Sequence, residues 1–428
     1  MKKVALIIDH PARDLDYICD IGVYLKKKGI RVVFVPSNMR HRELLLLKPN
    51  YILYPNHRDT VTEEINILAK LNIKIGVLET EQCVNEKFFE KFQLPKNLEF
   101  REDIDHFFVW GKYLSDISIN KKWYKKKQVK ITGSPKHDRN LTSEKNDGEK
   151  DYDLLIATSF PNSNPLFGEE VNRKTYQDLG MKNNDIDKFT KLHKENSLNT
   201  VNFINNYLGG TNLKILLRVH PYEQNIEFYK KVISANNVTI DESKDTILTS
   251  LNNSKILLHY NSTACVDAQS VNVPSINMSW MPYLKVFHES TSIMSHISYQ
   301  PATPEDCLKR VKQILNNNLN LKIQNNDADL HYYMHNLDGK SSERCANYIK
   351  DSIESSGEIK SNYQQDIFQN KFSLKGFIIS VKLKKNWKKS KKFFSREDIE
   401  KSLKYHNTQF KSSYVKVSLN TLTSIELL

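Results

Sequence analysis

Short apolar runs rich in branched side chains recur along most of this chain, and that recurrence constrains its fold more than any other feature. Each run stops at a polar, proline or glycine break, and most are followed by a stretch with helical spacing. Strands are expected at Val4–Asp9, Ile30–Pro36, Tyr51–Tyr54, Ile73–Leu78, His106–Trp110 and Val129–Thr132. Between the first two, Asp14–Lys28 reads as a helix with Leu15, Ile18, Ile21, Tyr24 and Leu25 on one face, stopped by Gly29. A polar stretch, Leu141–Lys150, interrupts the pattern, which then restarts with strands at Tyr152–Ala157, Lys214–Val219, Val238–Ile240, Ile256–His259 and Pro274–Met278. Alternation of this kind marks parallel sheets wrapped by helices. The fold class expected is therefore α/β. An N-terminal Rossmann-like domain occupies 1–140, a linker 141–150, a second Rossmann-like domain 151–322, closing helices 323–356 and a basic C-terminal appendage 357–428. Two such sheets leave a cleft between them.

Composition narrows the class. Of 428 residues, 39% are hydrophobic and 26% charged, as in soluble globular proteins. No apolar run approaches the roughly 20 residues of a membrane span. The N-terminal run meets Asp9 at once, so it reads as a strand and not as a signal peptide. Cys19, Cys83, Cys265, Cys307 and Cys345 are scattered, without C-x-x-C spacing, which points to reduced thiols in a cytosol and away from zinc. The net charge of +13 fits nucleic acid, an anionic membrane or anionic substrates, and much of the excess lies near the C-terminus. There Phe372–Phe394 mixes lysines with Phe, Ile, Val, Leu and Trp387. It reads either as an amphipathic anchor on an anionic membrane or as the solvated basic face of a packed appendage, since Phe377–Val381 also has a strand pattern. No helix-turn-helix, zinc module or RNP-like signature accompanies the lysines, so no nucleic-acid partner is expected.

Two stretches carry chemistry. Lys214–Glu223, K-I-L-L-R-V-H-P-Y-E, is a strand that ends in Arg218, His220 and the ladder-breaking Pro221. It sets a cation and an imidazole at a strand's carboxyl end, where open α/β sheets bind ligands. Leu257–Asn277 begins L-L-H-Y-N-S-T-A-C-V-D-A-Q, a second strand, a polar break and a helix that Asn261 or Ser262 can cap. Together they are expected to hold a phosphate: Arg218 through its guanidinium, His220 as donor or cation, and Ser262 and Thr263 with the helix's first N–H groups. The plainer alternatives are a pairing of Arg218 with Glu223, ordinary capping by Ser262 and Thr263, and an Asp267 that faces solvent instead of accepting from ribose hydroxyls. Asp14–Asp16, Asp103–Asp105, Asp151–Asp153, Asp185–Asp187 and Asp327–Asp329 all match D-x-D, so many hits that none argues for a metal. No glycine-rich phosphate loop is present.

Motifs spread over about Val4–Met278 carry a family resemblance. They are Arg13-Asp14-Leu15-Asp16, Glu79-Thr80-Glu81, Phe108-Val109-Trp110-Gly111, Thr132-Gly133-Ser134-Pro135-Lys136-His137-Asp138, Arg218-Val219-His220-Pro221-Tyr222-Glu223 and His259-Tyr260-Asn261-Ser262-Thr263-Ala264-Cys265-Val266-Asp267-Ala268. In order and spacing the chain resembles the bacterial surface carbohydrate (surface polysaccharide) biosynthesis proteins with a two-domain GT-B glycosyltransferase-like fold. These are similar to the capsule and lipopolysaccharide Kdo transferases, and more remotely to sialyltransferases with an H-P motif and to CDP-glycerol glycerophosphotransferases. The chain departs from the pattern at Asp267, where glutamate is usual, at Glu81-Gln82, where a glycine is missing, and at Val219, which replaces a proline.

The resemblance implies a metal-independent glycosyltransferase without a cofactor. Its donor would be a nucleotide sugar, CMP-linked as with Kdo, and its acceptor a glycan or a lipid-linked glycan. The alternatives are a CDP-polyol phosphotransferase or a catalytically inactive nucleotide- or glycan-binding scaffold. The enzyme is expected in the cytoplasm, docked on the inner membrane face through 372–394. Glu81 and Glu79 are the expected catalytic bases, preferred over the helix-start acids Asp14 and Asp16, with His220 beside the leaving phosphate. Arg218, His220, Glu223, Asn261, Ser262, Thr263, Asp267, Gly133 and Ser134 are the expected donor-side residues.

Overall fold

A computed structural model describes residues 1–80, 82, 86–142, 149–178, 181–223, 226–243, 246–283, 297–316, 327–360, 393–410, 417–419 and 424–427. The chain divides into two compact units, one of Met1–Gln82, Phe89–Thr142 and His331–Leu428, the other of Cys83–Phe88 and Ser143–Leu330.

In chain order the N-terminal part runs β1 (Lys3–Ile8), α1 (Pro11–Lys27), β2 (Arg31–Pro36), α2 (Arg40–Leu47), β3 (Tyr51–Tyr54), α3 (Asp59–Lys70), β4 (Lys74–Leu78), α4 (Glu86–Phe92), β5 (His106–Val109), α5 (Lys112–Asn120), β6 (Val129–Ile131) and α6 (Asp138–Thr142). The middle part runs β7 (Tyr152–Ala157), α7 (Glu169–Asp178), α8 (Asn183–Phe203), β8 (Ile215–Arg218), α9 (Ile226–Val232), β9 (Val238–Ile240), α10 (Ile247–Asn252), β10 (Ser254–His259), α11 (Ala264–Ser270), β11 (Ser275–Asn277) and α12 (Pro304–Leu315). The C-terminal part supplies α13 (Asp327–Met334), α14 (Ser341–Glu354), α15 (Arg396–Phe410), β12 (Val417–Leu419) and β13 (Ile425–Leu427).

The first unit's sheet has the order β12-β13-β2-β1-β3-β4-β5-β6, parallel from β2 to β6. The second unit's sheet has the order β11-β10-β7-β8-β9 and is parallel throughout. In each, the strand order reverses beside the first strand, between β1 and β3 and between β7 and β10. Ligands of open α/β sheets bind outside the carboxyl ends at such a point. The strands read from hydrophobic patterning are found with their ends within two residues of expectation, because strands covered on both faces must be apolar along their length.

The C-terminal region departs from expectation. Residues 393–410, 417–419 and 424–427, expected as part of a basic appendage, are built into the first unit. Strand β13 pairs antiparallel with β2, matching Ile425 to Phe34 and Leu427 to Val32. Phe394, Ile399, Leu403, Ile425 and Leu427 are buried in one core with Leu15, Ile18 and Ile21 of α1 and with Ile349 and Ile353 of α14. A polar clasp accompanies this core. The Arg139 Nε donates to both Asp20 carboxylate oxygens at 3.0 and 2.9 Å, and its Nη1 lies 3.0 Å from Asp16. The Ser402 hydroxyl donates to Asp16 at 2.7 Å, and His406 Nε2 lies 2.8 Å from Asp20. The helix-start acid Asp16 therefore ties α15 to α1. Most of the segment proposed as a membrane anchor, 372–392, lies outside the described residues, and Phe394 at its end belongs to the core.

Burial of five large apolar side chains is worth about 10 kcal/mol at roughly 2 kcal/mol each, the size of a whole domain's stability. A chain ending at residue 392 is therefore expected to lose the first unit's cooperative thermal transition, read by calorimetry and near-UV circular dichroism. An unchanged transition would show that the tail is dispensable.

Candidate functional site

The second unit's strand ends form one level row. The register places Arg218 and His259 on either side of Ala157, and Asn277 beyond His259. Asp241, directly after β9, continues the row past Arg218. Neighbouring strands lie about 4.8 Å apart, so the row sets a rim of polar side chains along the sheet's carboxyl edge, across the β7/β10 reversal.

At the β8 end, a buried carboxylate organises the turn. Glu223 is 7% exposed. One of its oxygens accepts from the Thr158 hydroxyl and the Phe160 N–H, both at 2.8 Å, and the other accepts from the Tyr229 hydroxyl at 2.9 Å. Burial pushes its pKa up, against the pull of these donors. The same Thr158 oxygen accepts from the His220 N–H at 2.9 Å, and the His220 carbonyl accepts from the Glu223 N–H at 2.8 Å. Glu223, expected on the donor side, is thus an internal brace between the β7 and β8 ends.

The brace fixes His220. Its Nδ1 accepts from the Tyr222 N–H at 3.2 Å, which leaves Nε2 to carry the ring proton. Burial lowers the imidazole's pKa to about 4, so the ring is neutral at physiological pH. Of the two roles expected for His220, hydrogen-bond donor and cation, the surroundings select the donor. Arg218 also differs from expectation. Its Nη1 donates to Asp241 at 2.6 Å and to the Ser250 hydroxyl at 2.9 Å, and Ser250 donates to the same Asp241 oxygen at 2.8 Å. The ion-pair partner is Asp241, reached across β9, and not Glu223.

At the β10 end the turn into α11 is built from internal hydrogen bonds. The Asn261 N–H donates to Asn277 Oδ1 at 2.9 Å and the Ser262 N–H to His259 Nδ1 at 3.2 Å. The Ala264 N–H donates to the Ser262 hydroxyl at 3.2 Å, and the Cys265 and Val266 N–H groups donate to the carbonyls of Ser262 and Thr263. The expected cradle of helix-start N–H groups is therefore already committed within the turn. Thr263 occupies the cap position without a side-chain capping bond, while the Ser262 hydroxyl, one of the two expected caps, takes the first N–H of α11. Hydroxyls remain at the rim, on the half-buried Ser262 and the exposed Thr263. Asp267 is 4% exposed, so it neither faces solvent nor reaches outward to a ribose in this conformation. His259 is fully buried, and burial holds its ring neutral with its pKa lowered to about 3.

The other expected residues lie in the first unit. Glu81 lies outside the described residues. Glu79 is 1% exposed, and its carboxylate accepts from the Thr80 N–H at 3.0 Å, so it points inward and does not present a base to solvent. Gln82 closes that turn: its Nε2 donates to the carbonyls of Glu79 and Phe108, and its Oε1 accepts from the Trp110 N–H. Asp14 accepts from the His10 N–H at 2.9 Å at the start of α1, the structural role usual for helix-start acids. Gly133 has φ +81, and a Cβ there would meet the Ser341 hydroxyl at 2.5 Å. The Ser134 hydroxyl lies 2.7 Å from His137 Nδ1, and Asp138 accepts from the Ser341 and Ser342 N–H groups at 3.0 and 2.6 Å. Gly133 and Ser134, expected at the donor, thus belong to a segment that seats the N-terminus of α14. Thr158, Asp241 and Asn277 carry no sequence signal beyond their places just after, or at the end of, a legible strand.

No protein-family model matches the chain, and no curated protein matches its sequence. Solved structures do match. The UDP-GlcNAc 2-epimerase of Methanocaldococcus jannaschii, in complex with UDP-GlcNAc and UDP, aligns over 82% of this chain and 99% of its own at 14% identity, with a TM-score of 0.55. MnaA of S. aureus with UDP aligns over 84% and 99% at 14% identity, with a TM-score of 0.51. The wall teichoic acid polymerase TagF with CDPG aligns over 82% and 89% at 13% identity, with a TM-score of 0.51. The chain has a GT-B-like fold of two Rossmann-like units.

A ring held neutral by its surroundings should titrate late. The His220 resonances are expected to shift near pH 4 and to stay flat from pH 8 to 6. Because the folded pKa lies below the unfolded value of about 6.5, this group's contribution to stability is full above pH 6.5. It is lost as pH falls towards 4. An NMR titration midpoint at 6 or above would mean that the imidazole is solvated.

Proposed function

We propose that the chain is a glycosyltransferase of bacterial surface polysaccharide synthesis that takes its sugar from a nucleotide-linked donor seated on the carboxyl rim of the second unit's sheet. The observation that carries this reading is the neutral, braced His220 at the rim, with its Nε2 proton available to a phosphate oxygen. Hydroxyls of Ser262 and Thr263 lie on the same rim, across the strand-order reversal. In the reaction, a base takes the acceptor hydroxyl's proton, the acceptor oxygen attacks the anomeric carbon, and the bond to the donor phosphate breaks. A donor already aimed at the leaving oxygen stabilises the charge that develops there. His220 fills that role by hydrogen bonding, while Arg218, neutralised by Asp241, holds the neighbouring strand ends. Glu81 is the base in this reading.

Structural neighbours support a nucleotide-linked substrate: those compared hold UDP-GlcNAc, UDP or CDPG. They also favour two other chemistries on the same scaffold, epimerisation of a UDP-linked sugar and phosphotransfer from a CDP-linked polyol. A CMP-linked acidic sugar such as Kdo is the donor implied by the sequence resemblance. The protein would work in the cytoplasm against a glycan or lipid-linked acceptor, drawn to the inner membrane face by the lysines of 372–392. No helix among the described residues is long and apolar enough to cross a membrane.

A thermal-shift screen against CMP, CDP, UDP and their sugar and polyol conjugates tests the site. A ligand at a hundredfold excess over Kd adds about 2.7 kcal/mol of stability. His220→Ala is expected to abolish that shift, or the turnover measured by product mass, with the unliganded Tm nearly unchanged. A large fall in Tm would make His220 structural, and product mass separates transfer from epimerisation. For the membrane, Lys384, Lys385, Lys388 and Lys389 changed together to Gln should lose co-sedimentation with vesicles containing anionic lipid. Undiminished sedimentation would rule out the anchor.

A further inference from the structure

The chain turns from β10 into α11 through Asn261, whose φ of +40 lies in the left-handed region. For a residue with a Cβ that conformation costs roughly 1 kcal/mol or more, although Asn tolerates it better than most. It persists only where the surroundings over-determine it. Here the determinant is Asn277, the last residue of β11, which is 4% exposed.

Its carboxamide grips Asn261 twice. Oδ1 accepts the Asn261 N–H at 2.9 Å, and Nδ2 donates to the Asn261 side-chain oxygen at 3.0 Å. The second Nδ2 hydrogen goes to Gln300 Oε1 at 3.0 Å. One oxygen facing a backbone donor and one nitrogen facing two oxygens fix the orientation of the amide. Asn277 is itself immobile. Its N–H donates to the Tyr299 carbonyl at 2.9 Å, and the next N–H, of Met278, donates to the His259 carbonyl at 2.7 Å. A parallel strut acts one residue on, where His259 Nδ1 receives the Ser262 N–H and Nε2 lies 2.9 Å from the Ser298 hydroxyl.

We infer that Asn277 is the positioning residue of this rim: its clasp on Asn261 fixes where Ser262 and Thr263 present their hydroxyls to a nucleotide's phosphate. The inference rests on the nucleotide site proposed above. It makes Asn261 a hinge held in shape, with its N–H and its side-chain oxygen both engaged by Asn277.

Two measurements on the full-length protein test it. By hydrogen exchange, Asn277→Ala should expose the peptide covering Asn261–Thr263 to faster exchange while β7 and β8 stay protected. By calorimetric titration with UDP, CDP and CMP, it should weaken the nucleotide bound by the unmutated protein at least tenfold. Adding Asn261→Gly, which adopts positive φ without a clasp, should recover most of that affinity. Unchanged exchange in Asn277→Ala overturns the clasp, whether or not nucleotide binds. A loss of affinity that Asn261→Gly leaves unrepaired means that Asn277 acts through β11 packing or direct contact, and it too overturns the inference. No binding of any nucleotide by the unmutated protein, with exchange altered as expected, removes the site reading and with it the ligand half of the inference.

Discussion

Glu223 carries its carboxylate into the interior of the second unit, where two donors from the segment after β7 and one from α9 converge on it. An unpaired buried carboxylate would be costly, so the donors and the acid hold one another in place. Thr158 is the link. Its hydroxyl gives its proton to Glu223 and takes the His220 N–H, so the strand-end turn, the imidazole and the β7 exit share one hydrogen-bonded unit. The neutrality and tautomer of His220 follow from this. A partly buried ring that has lost much of its solvation disfavours charge, and a ring whose Nδ1 accepts a hydrogen bond puts its proton on Nε2. The rim therefore offers directed hydrogen bonds, while its strongest positive charge, on Arg218, is matched by Asp241.

The first unit uses buried acids in the same way, for assembly. Asp138 caps α14, the buried Asp20 receives Arg139 with the exposed Asp16 beside it, and Ser402 and His406 bring α15 onto that pair. Removing one member of a buried charged set costs about 3–5 kcal/mol, so these contacts make the C-terminal region conditional on the N-terminal one. The positive φ of Gly133 belongs to this assembly, because only a residue without a Cβ lets the β6 turn approach Ser341.

The sequence was readable where physics is local. Tyr51–Tyr54, Tyr152–Ala157 and Val238–Ile240 have the bounds that patterning assigns them, and Arg218 and His220 stand at the strand end expected of them. It was unreadable where partners lie far apart. Val417–Leu427 carries too little pattern to announce a hairpin that pairs with a strand nearly four hundred residues earlier. Arg218 and Asp241 pair through the register of β8 and β9, which no spacing in the chain reveals. Glu223, Gly133 and Ser134 share one ambiguity. A polar residue or glycine at a strand end serves a ligand and an internal brace equally well, and only the surrounding donors tell which.

That ambiguity bears on how the rim would meet a phosphate. In the turn from Asn261 to Val266 the N–H groups of 261, 262, 264, 265 and 266 are spent internally. A turn whose N–H groups are already held, by its own residues and by His259 and Asn277, is rigid before ligand arrives and has little ordering entropy left to lose. Recognition then falls to hydroxyls and to the His220 Nε2 proton, groups whose direction matters more than their charge. Such a rim distinguishes ligands by geometry, and its geometry is set by Glu223 beneath the β8 turn and by Asn277 at the β11 end of the row.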